Sequence, residues 1–366
     1  MTRRVLVTGA SGFLGRDLVR SLETEKSVEY IAAVDTKPIG GFDKAEFIRA
    51  DVASPLIQRV IASTGVDTVV HADLTSSPLS VGGRSAQKER NVIGTMQLLG
   101  ACQRVEAVEK VVVRSSTAVY GNDSSDPSIL REDWSNLSEA SGYSKDLADA
   151  ETFARDFGRR RSRVKLTILR FANVMGPTAE TSMTQLFSLP LIPTALGFDP
   201  RLQLLHEQDA VQVLRKSVVE DHPGVFNVAA DGVLYLSQAI RLARRLPLPV
   251  VTPLGTIAGD VLRRFGVIDF PTDQTALLVH GRVVDTQRLK EVFGYKPVHT
   301  TRDALMSFLE SPRASRSSAL KDWQKELYEF AASRFAAMAG GPAPRPYVVG
   351  AGEDAGQASQ PPAEAN

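Results

Sequence analysis

The stretch EASGYSKDL, residues 139–147, contains a tyrosine and a lysine, two residue types that together can transfer a proton. A phenol and an ammonium four residues apart lie on one face of a helix, and the ammonium then lowers the pKa of the phenol. Such a phenolate can take a proton from a hydroxyl group near neutral pH. Tyr143 and Lys145, however, are two residues apart, which separates them by about 200° around an ideal helix. The spacing alone therefore does not decide whether this pair can transfer a proton.

A glycine-rich segment near the N-terminus, TGASGFLG (residues 8–15), is typical of a turn that binds a phosphate. Gly9, Gly12 and Gly15 stand between a predicted strand and a predicted helix. Glycines allow a sharp turn and a close backbone approach to a diphosphate, and the helix N-terminus offers N–H groups and a positive dipole end. Asp35 ends the next predicted strand, where a carboxylate binds ribose hydroxyls and repels a 2′-phosphate. These residues predict a dinucleotide site that prefers NAD to NADP.

Strand and helix patterns alternate over the segment that contains these residues. Apolar runs such as RRVLVTGA and KVVVRSS are rich in valine and are typical of strands buried on both faces. Stretches with helical periodicity, such as FLGRDLVRSLETE, separate the runs. This alternation predicts an α/β fold, a Rossmann-type doubly wound parallel sheet with a smaller C-terminal substrate-binding lobe.

Changes in composition along the chain predict its domain boundaries. We expect an NAD-binding Rossmann domain over residues 1–175, with its sheet completed by segments near 204–230. The substrate-binding lobe is expected mostly over residues 176–312. A C-terminal helix over residues 313–339 and a disordered tail over residues 340–366 follow, because the tail is rich in proline, glycine and alanine and has no pattern that could bury a face.

The composition argues against several classes of function. The 366 residues include 43 Lys+Arg and 42 Asp+Glu, a balance that speaks against a nucleic-acid partner. No apolar run approaches about 18 residues, so we expect no transmembrane segment, and the N-terminal run is too short for a signal peptide. The one cysteine, Cys102, predicts a buried thiol and a cytoplasmic location. His71 and the other histidines show no metal-ligand spacing, so we expect no metal site.

Several motifs, in their order along the chain, resemble the extended short-chain dehydrogenase/reductase family in its NAD-dependent epimerase/dehydratase branch. The resemblance covers roughly residues 3–310, and its motifs are TGASGFLG, DTVVHAD, NVIGTMQLLGAC, SSTAVYG and LRFANVMGP. Asp73 in DTVVHAD departs from the small residue that is usual there, and Met175 stands where tyrosine is common. The resemblance implies NAD as the cofactor and a nucleotide sugar as the substrate.

The resemblance also implies roles for individual residues. Ser116 is the expected active-site hydroxyl and a substrate contact, and Asn173 is expected to contact the diphosphate of the substrate. Asn91 would support the cofactor side of the site. Further expected cofactor contacts are Phe13, Leu14 and Ala72. Asp51 and Val52 follow a third strand-like run, AEFIRA, where an aspartate is placed to hydrogen-bond the adenine amino group. Asp51 has a competing interpretation as a helix cap before SPLIQ.

The family pairs its active-site hydroxyl with Tyr-x-x-x-Lys, and neither alignment of this chain preserves that pair. One alignment puts Lys145 on the family lysine, where it would hold the nicotinamide ribose, and Ser141 on the family tyrosine. The other keeps Tyr143 and puts Leu147 where the lysine should be. Three explanations stay open. The helix begins late and Tyr143 reaches the site from a non-helical turn; Ser116, Ser141 or Lys145 handles the proton without a phenol; or the protein binds NAD without turnover.

The favoured hypothesis is an NAD-dependent oxidoreductase that resembles UDP-glucose 4-epimerase and works by transient hydride transfer. One alternative is a catalytically weak NAD-binding protein with a sensing or scaffolding role. Another is a reductase of a lipid-like substrate, suggested by the apolar run LFSLPLIPTALGF. In the family, helices that correspond to residues 86–105 and 143–158 form a dimer bundle, and both segments look amphipathic here, so we expect a homodimer.

Overall fold

The elements of the fold follow the predicted alternation of strands and helices. The computed structural model describes residues 2–77, 81–134, 142–250 and 276–315. The strands are β1 (Arg3–Thr8), β2 (Val28–Asp35), β3 (Glu46–Arg49), β4 (Thr68–His71), β5 (Lys110–Ser116), β6 (Lys165–Phe171), β7 (Asn173–Met175), β8 (Leu191–Ala195), β9 (Arg201–Leu202), β10 (Leu204–His206), β11 (Gly224–Val228), β12 (Leu234–Tyr235) and β13 (Leu246–Val250). The helices are α1 (Phe13–Glu23), α2 (Ile57–Thr64), α3 (Arg84–Lys88), α4 (Gly94–Arg104), α5 (Gly142–Arg160), α6 (Ser182–Ser188), α7 (Glu207–Val219), α8 (Leu236–Leu242), α9 (Leu277–His280), α10 (Gln287–Glu291), α11 (Thr301–Leu309) and α12 (Pro312–Ser315). A π-helical turn, Glu89–Ile93, joins α3 to α4, and a 3-10 turn, Thr117–Tyr120, follows β5.

Seven strands form one sheet in the order β11-β6-β5-β4-β1-β2-β3, and every pairing in it is parallel. The chain order reverses between β1 and β4, which creates a topological switch point at the carboxyl edge. This topology confirms the predicted doubly wound α/β fold. Of the segments near 204–230, β11 joins the sheet, whereas β10 pairs with β7 outside it.

Among the described residues, two apolar clusters fill the interior. The larger one surrounds the sheet, and the smaller one packs α6, α8 and α11 of the C-terminal lobe against each other. Leu186, Phe187 and Ile192 from the apolar run LFSLPLIPTALGF are buried in the smaller cluster. Within the described ranges, no helix is both long enough and apolar enough to cross a membrane. The predicted tail and all but the start of the predicted C-terminal helix, residues 316–366, lie outside the described residues.

A buried ion pair ties α5 to the centre of the sheet. Arg170 of β6 donates to the Glu151 carboxylate of α5 with an Nη2–Oε2 distance of 2.7 Å, and the side chains are 5% and 4% exposed. Ser115 donates to Glu151 Oε1 at 2.7 Å. Burial would raise the pKa of Glu151, but Arg170 and Ser115 outweigh it and hold that pKa below its ordinary value. Arg170 also donates to the hydroxyl of Tyr120, which in turn donates to Asn227 of β11.

Removal of one partner of this pair should destabilise the fold strongly. Glu151→Ala leaves the Arg170 charge buried without its counter-ion, so we expect a loss of about 3–5 kcal/mol in the free energy of unfolding. Denaturant titration followed by circular dichroism measures this loss. Asp149→Ala on the same helix is the matched control, because Asp149 forms a partly exposed pair with Lys145 and should cost under about 1 kcal/mol. Equal losses in the two variants would contradict the prediction.

Candidate active site

A cleft of about 610 Å³ opens at the carboxyl edge of the sheet, where the smaller lobe faces it. The glycine loop and the segments that follow β2, β4 and β6 line one part of the cleft, and residues of the lobe between 180 and 185 line another. Its position at the switch point, and its size, are typical of a site for a dinucleotide or another small molecule.

The glycine loop has the close packing that its sequence predicts. Gly9 has a φ of +70°, a conformation that favours glycine. A methyl group at Gly15 would lie 2.1 Å from the carbonyl oxygen of Gly9, so the loop and α1 can pack this closely only with glycine there. Gly12 precedes α1, and among the described residues no side chain caps that helix. The loop residues Gly12, Phe13 and Leu14 line the cleft, so the N-terminus of α1 offers its N–H groups to an anion there.

Asp35 is buried at the end of β2, beside the loop. Its Oδ2 accepts from the backbone N–H of Ser11 at 3.0 Å, and its Oδ1 accepts from the N–H of Lys37 at 3.2 Å. Burial would raise the pKa of Asp35, but these hydrogen bonds and the nearby charge of Arg90 hold it below its ordinary value. Asp35 is therefore an ionised acceptor at neutral pH, as binding of a ribose requires.

Of the other predicted cofactor residues, some line the cleft and some do not. Ala72 lines the cleft. Asn91 lies behind it, where its amide accepts from the N–H of Thr75 and donates to the carbonyl of Thr75, both at 2.9 Å, and so holds the segment after β4. Asp51 and Val52 are not among the described residues that line the cleft. Asp51 accepts from the N–H of Ala53 at 2.8 Å within a turn, and the N-cap of α2 is Leu56, so Asp51 does not cap that helix as its alternative interpretation expected.

Two charged residues at the loop were not predicted as functional. Asp73, noted only as a departure from a small residue, lines the cleft and accepts from Arg90 Nε at 2.8 Å. Arg90 also lies within 3.9 Å of Asp35. The unusual residue in DTVVHAD was the only sequence signal for this pair, and nothing in the spacing of the two residues predicts that they meet.

Three of the predicted catalytic and substrate residues do meet in the cleft, namely Ser116, Tyr143 and Asn173. Ser116 ends β5, and its Oγ also accepts from the N–H of Ala118 at 3.2 Å, so it caps the following turn as well. Tyr143 is buried and lies in the first turn of α5. Of the three explanations left open by the sequence, the one in which Tyr143 precedes the helix is therefore excluded, although Gly142, with a φ of +56°, gives the helix an irregular start.

Lys145 does not join these residues. Its side chain is 57% exposed and pairs with Asp149 at 3.7 Å on the outer face of α5, because two helical positions separate it from Tyr143. Leu147, four residues after Tyr143, is fully buried in the apolar cluster around the sheet. The geometry therefore does not support the predicted role of Lys145 at the nicotinamide ribose. Ser141, the other candidate from that alignment, lies outside the described residues.

His71, His206, His299 and Cys102 are held by contacts that stabilise the fold. His71 is buried between the hydroxyls of Thr8 and Thr95, both at 2.9 Å, and burial lowers its pKa to about 3. Burial likewise raises the pKa of the Cys102 thiol to about 12. His206, Asp209 and His299 lie close enough together to suggest a metal site. However, both oxygens of Asp209 already accept hydrogen bonds from the protein, and both ring nitrogens of His206 are hydrogen-bonded, so these three residues form a structural network.

Comparison with known proteins identifies the family. The model of the NAD dependent epimerase/dehydratase family matches residues 5–229. The chain belongs to this family. An uncharacterized protein of Mycobacterium tuberculosis is 44% identical over 307 residues, which cover 82% of this chain and 81% of that relative. The family assignment confirms the resemblance on which the prediction of an NAD cofactor rested, and NAD is the cofactor.

More distantly similar proteins have named activities. UDP-glucuronic acid decarboxylase 6 of Arabidopsis thaliana is 26% identical over 322 residues, 82% of this chain and 86% of that protein. The structure of UDP-glucose 4-epimerase from Thermotoga maritima, solved with UDP-glucose, superposes with a TM-score of 0.65 at 19% identity, over 84% of this chain and 97% of that chain. At this identity the superposition shows that the two proteins share a fold.

The residues at the glycine loop fit NAD, since the loop leaves the start of α1 uncapped and Asp35 is ionised beside it. Asp35→Asn should weaken NAD binding roughly tenfold or more, because a hydrogen bond to a charged acceptor contributes about 1.5–3 kcal/mol. The same change should narrow the preference for NAD over NADP, because it removes the charge that repels a 2′-phosphate. Fluorescence titration with both cofactors measures these effects. Asp156→Asn, on α5 away from the cleft, serves as the control, and an unchanged NAD affinity in Asp35→Asn would refute the assignment.

Proposed function

We propose that this protein is an NAD-dependent oxidoreductase of the epimerase/dehydratase type that acts on a nucleotide sugar, with UDP-hexose 4-epimerisation as the first reaction to test. One cleft holds Ser116, Tyr143 and Asn173 together with the glycine loop, and this juxtaposition carries the proposal. The names of the Arabidopsis decarboxylase and the Thermotoga epimerase support the same class of substrate.

Tyr143 and Ser116 are the groups that we propose handle the proton. As a phenolate, Tyr143 takes the proton of a substrate hydroxyl, and Ser116 donates a hydrogen bond to the same substrate oxygen. NAD, when bound, supplies the hydride acceptor for the carbon that bears this oxygen. Asn173 contacts the diphosphate of the substrate. On the return step Tyr143 gives the proton back, so the protein side of the cycle is restored.

The missing lysine favours a second candidate function. Leu147 occupies the position from which an ammonium would lower the pKa of the phenol, and Lys145 lies in solvent. The Tyr-x-x-x-Lys spacing is therefore absent, and turnover is expected to be slow. A catalytically weak NAD-binding protein with a sensing or scaffolding role is the alternative that this feature supports.

The lobe side of the cleft favours a polar substrate over a lipid. The lobe residues that line it are Glu180, Thr181, Ser182 and Gln185. The apolar run that suggested a lipid-like substrate instead buries Leu186 and Phe187 in the core of the lobe. A sugar with many hydroxyls can exchange hydrogen bonds with polar groups of this kind, which an apolar lipid cannot do.

Substitution of Tyr143 tests the proposed chemistry. Tyr143→Phe removes the hydroxyl and should lower kcat for interconversion of UDP-glucose and UDP-galactose by roughly 10²–10⁴, with NAD affinity unchanged. Lys145→Ala should leave kcat unchanged, because its side chain faces solvent. A product assay by chromatography, run beside an NAD titration, measures both. If the unmodified protein binds NAD saturably but converts neither these sugars nor UDP-glucuronic acid, the second candidate function is favoured. A loss of activity in Lys145→Ala would return a catalytic role to that lysine.

We also propose that the protein is a homodimer through α4 and α5, the helices that correspond to segments 86–105 and 143–158. The two helices pack against each other, and Ile93, at the end of the π-helical turn, and Met96, in the first turn of α4, are 39% and 38% exposed. Apolar side chains this exposed on one helix are typical of a surface that another chain covers.

Charged substitutions at this surface test the dimer. The double variant Ile93→Glu and Met96→Glu should convert a dimer to a monomer, since it would place four carboxylates in a twofold interface. Light scattering after size-exclusion chromatography measures the mass. Leu56→Glu changes a side chain that is exposed elsewhere, before α2, and should leave the mass unchanged. A monomeric unmodified protein would refute the proposal.

A cytoplasmic location also belongs to this proposal. It is supported by the single buried thiol, Cys102, which fits a reducing compartment, and by the nicotinamide cofactor.

A further inference from the structure

Asp73 lies directly against the glycine loop. A methyl group at Gly9 would lie 2.9 Å from the Cα of Asp73 and 3.1 Å from its Oδ1, so the carboxylate sits over the first glycine of the loop. Asp73 is buried and lines the cleft. A negative charge therefore stands at the first glycine of the loop that leads into α1, at a position where the sequence motif usually carries a small residue.

Arg90 is the counter-ion of this carboxylate. Its Nε donates to Asp73 Oδ1 at 2.8 Å, and its Nη2 donates to the same oxygen. The same Nη2 lies 3.9 Å from Asp35 Oδ1, so Arg90 stands between two carboxylates at the cofactor end of the cleft. An arginine at this place would suit a phosphate as well as it suits a carboxylate. In the free protein it is engaged by Asp73.

Charged groups from three neighbouring segments face Asp73. Arg90 comes from the π-helical turn, Arg114 from β5 and Asp35 from β2, and all three act on the Asp73 carboxyl. Arg114 donates to the carbonyl of Leu74, beside Asp73. His71, two residues earlier, is neutral because its burial disfavours the charged form. Asp73 thus has positive neighbours that hold it in place and one negative neighbour that opposes its charge.

We propose that Asp73 is a built-in competitor of the cofactor diphosphate, holding Arg90 and covering Gly9 in the free protein and thereby limiting the affinity for NAD. The inference rests on the proposed function as an NAD-dependent enzyme. Asp73 is buried, and an anion bound beside it would repel its charge more strongly than it would in water. Neutralisation of Asp73 removes the repulsion and frees Arg90 for the diphosphate.

The competition makes NAD affinity depend on pH. Burial raises the pKa of Asp73 to about 6, although Arg90 opposes the shift. A bound diphosphate adds negative charge nearby and raises this pKa further. NAD therefore binds with uptake of a proton when the pH lies between the pKa of Asp73 in the free protein and its higher pKa in the complex. Affinity rises as the pH falls toward about 6 and levels off below it, because Asp73 is then already protonated in the free protein.

The test compares the unmodified protein with Asp73→Asn, which keeps the shape of the side chain and removes its charge. At about pH 8, Asp73→Asn should bind NAD roughly tenfold more tightly by calorimetry, the equivalent of one pKa unit. Its Kd should stay constant down to about pH 6, whereas the Kd of the unmodified protein should fall to approach it. Asp156→Asn, outside the cleft, should behave like the unmodified protein.

Asp73→Ala, which restores a small residue, is a second variant, and thermal unfolding checks that both variants are folded. If the unmodified protein binds NAD and folded Asp73→Asn and Asp73→Ala bind it no more tightly, Asp73 does not compete and the inference is overturned while the proposed function stands. The same conclusion follows if the Kd of the unmodified protein does not change between about pH 8 and about pH 6. If neither the unmodified protein nor either variant binds NAD, both the inference and the proposed function fail.

Discussion

The buried pair between Arg170 and Glu151 is the constraint on which the geometry of the cleft depends. Each group that joins it is close in sequence to a residue of the site. Ser115 precedes Ser116, Arg170 lies in the strand that leads to Asn173, and Glu151 lies about two turns after Tyr143 on α5. Since an ionised pair this deeply buried cannot shift without leaving a charge unpaired, it fixes β5, β6 and α5 relative to each other. Contacts outside the cleft thereby fix the positions of the three side chains that meet in it, Ser116, Tyr143 and Asn173.

The cofactor end of the cleft shows how environment separates two carboxyls that are close to one arginine. Asp35 receives hydrogen bonds from two backbone N–H groups, and its pKa falls. Asp73 is buried with Arg90 as its main partner, and its pKa rises to about 6. Environments that push two pKa values apart give two groups of one kind different roles. Asp35 is suited to hold a ribose at any physiological pH, whereas the charge of Asp73 changes near neutrality.

Much of the fold could be predicted because its signals are local. Valine-rich runs, helical periodicity and the glycine loop each depend on neighbouring residues, and they gave the doubly wound sheet and the place of Asp35. The pairing of Asp73 with Arg90 could not be predicted in the same way, because it depends on how the segment after β4 and the π-helical turn meet in space. That turn also interrupts the segment predicted as one helix over residues 86–105, and it carries Asn91, which is bonded to Thr75. The directions of the Tyr143 and Lys145 side chains in the first turn of α5 could not be predicted either, since they depend on where the helix begins.

Tyr143 and Lys145 do not form the usual Tyr-x-x-x-Lys pair in another register, because the two side chains lie on different faces of α5. A lysine at position 147 would have to place its ammonium in the apolar cluster that α5 buries against the sheet, or else lead it out to the cleft at the expense of that packing. The chain instead uses this turn of the helix for packing, with Leu147 inward and Lys145 outward. Tyr143 keeps its place in the cleft because it precedes the packed turn. The sequence thus combines a complete glycine loop with a tyrosine that has leucine, and not lysine, four residues after it.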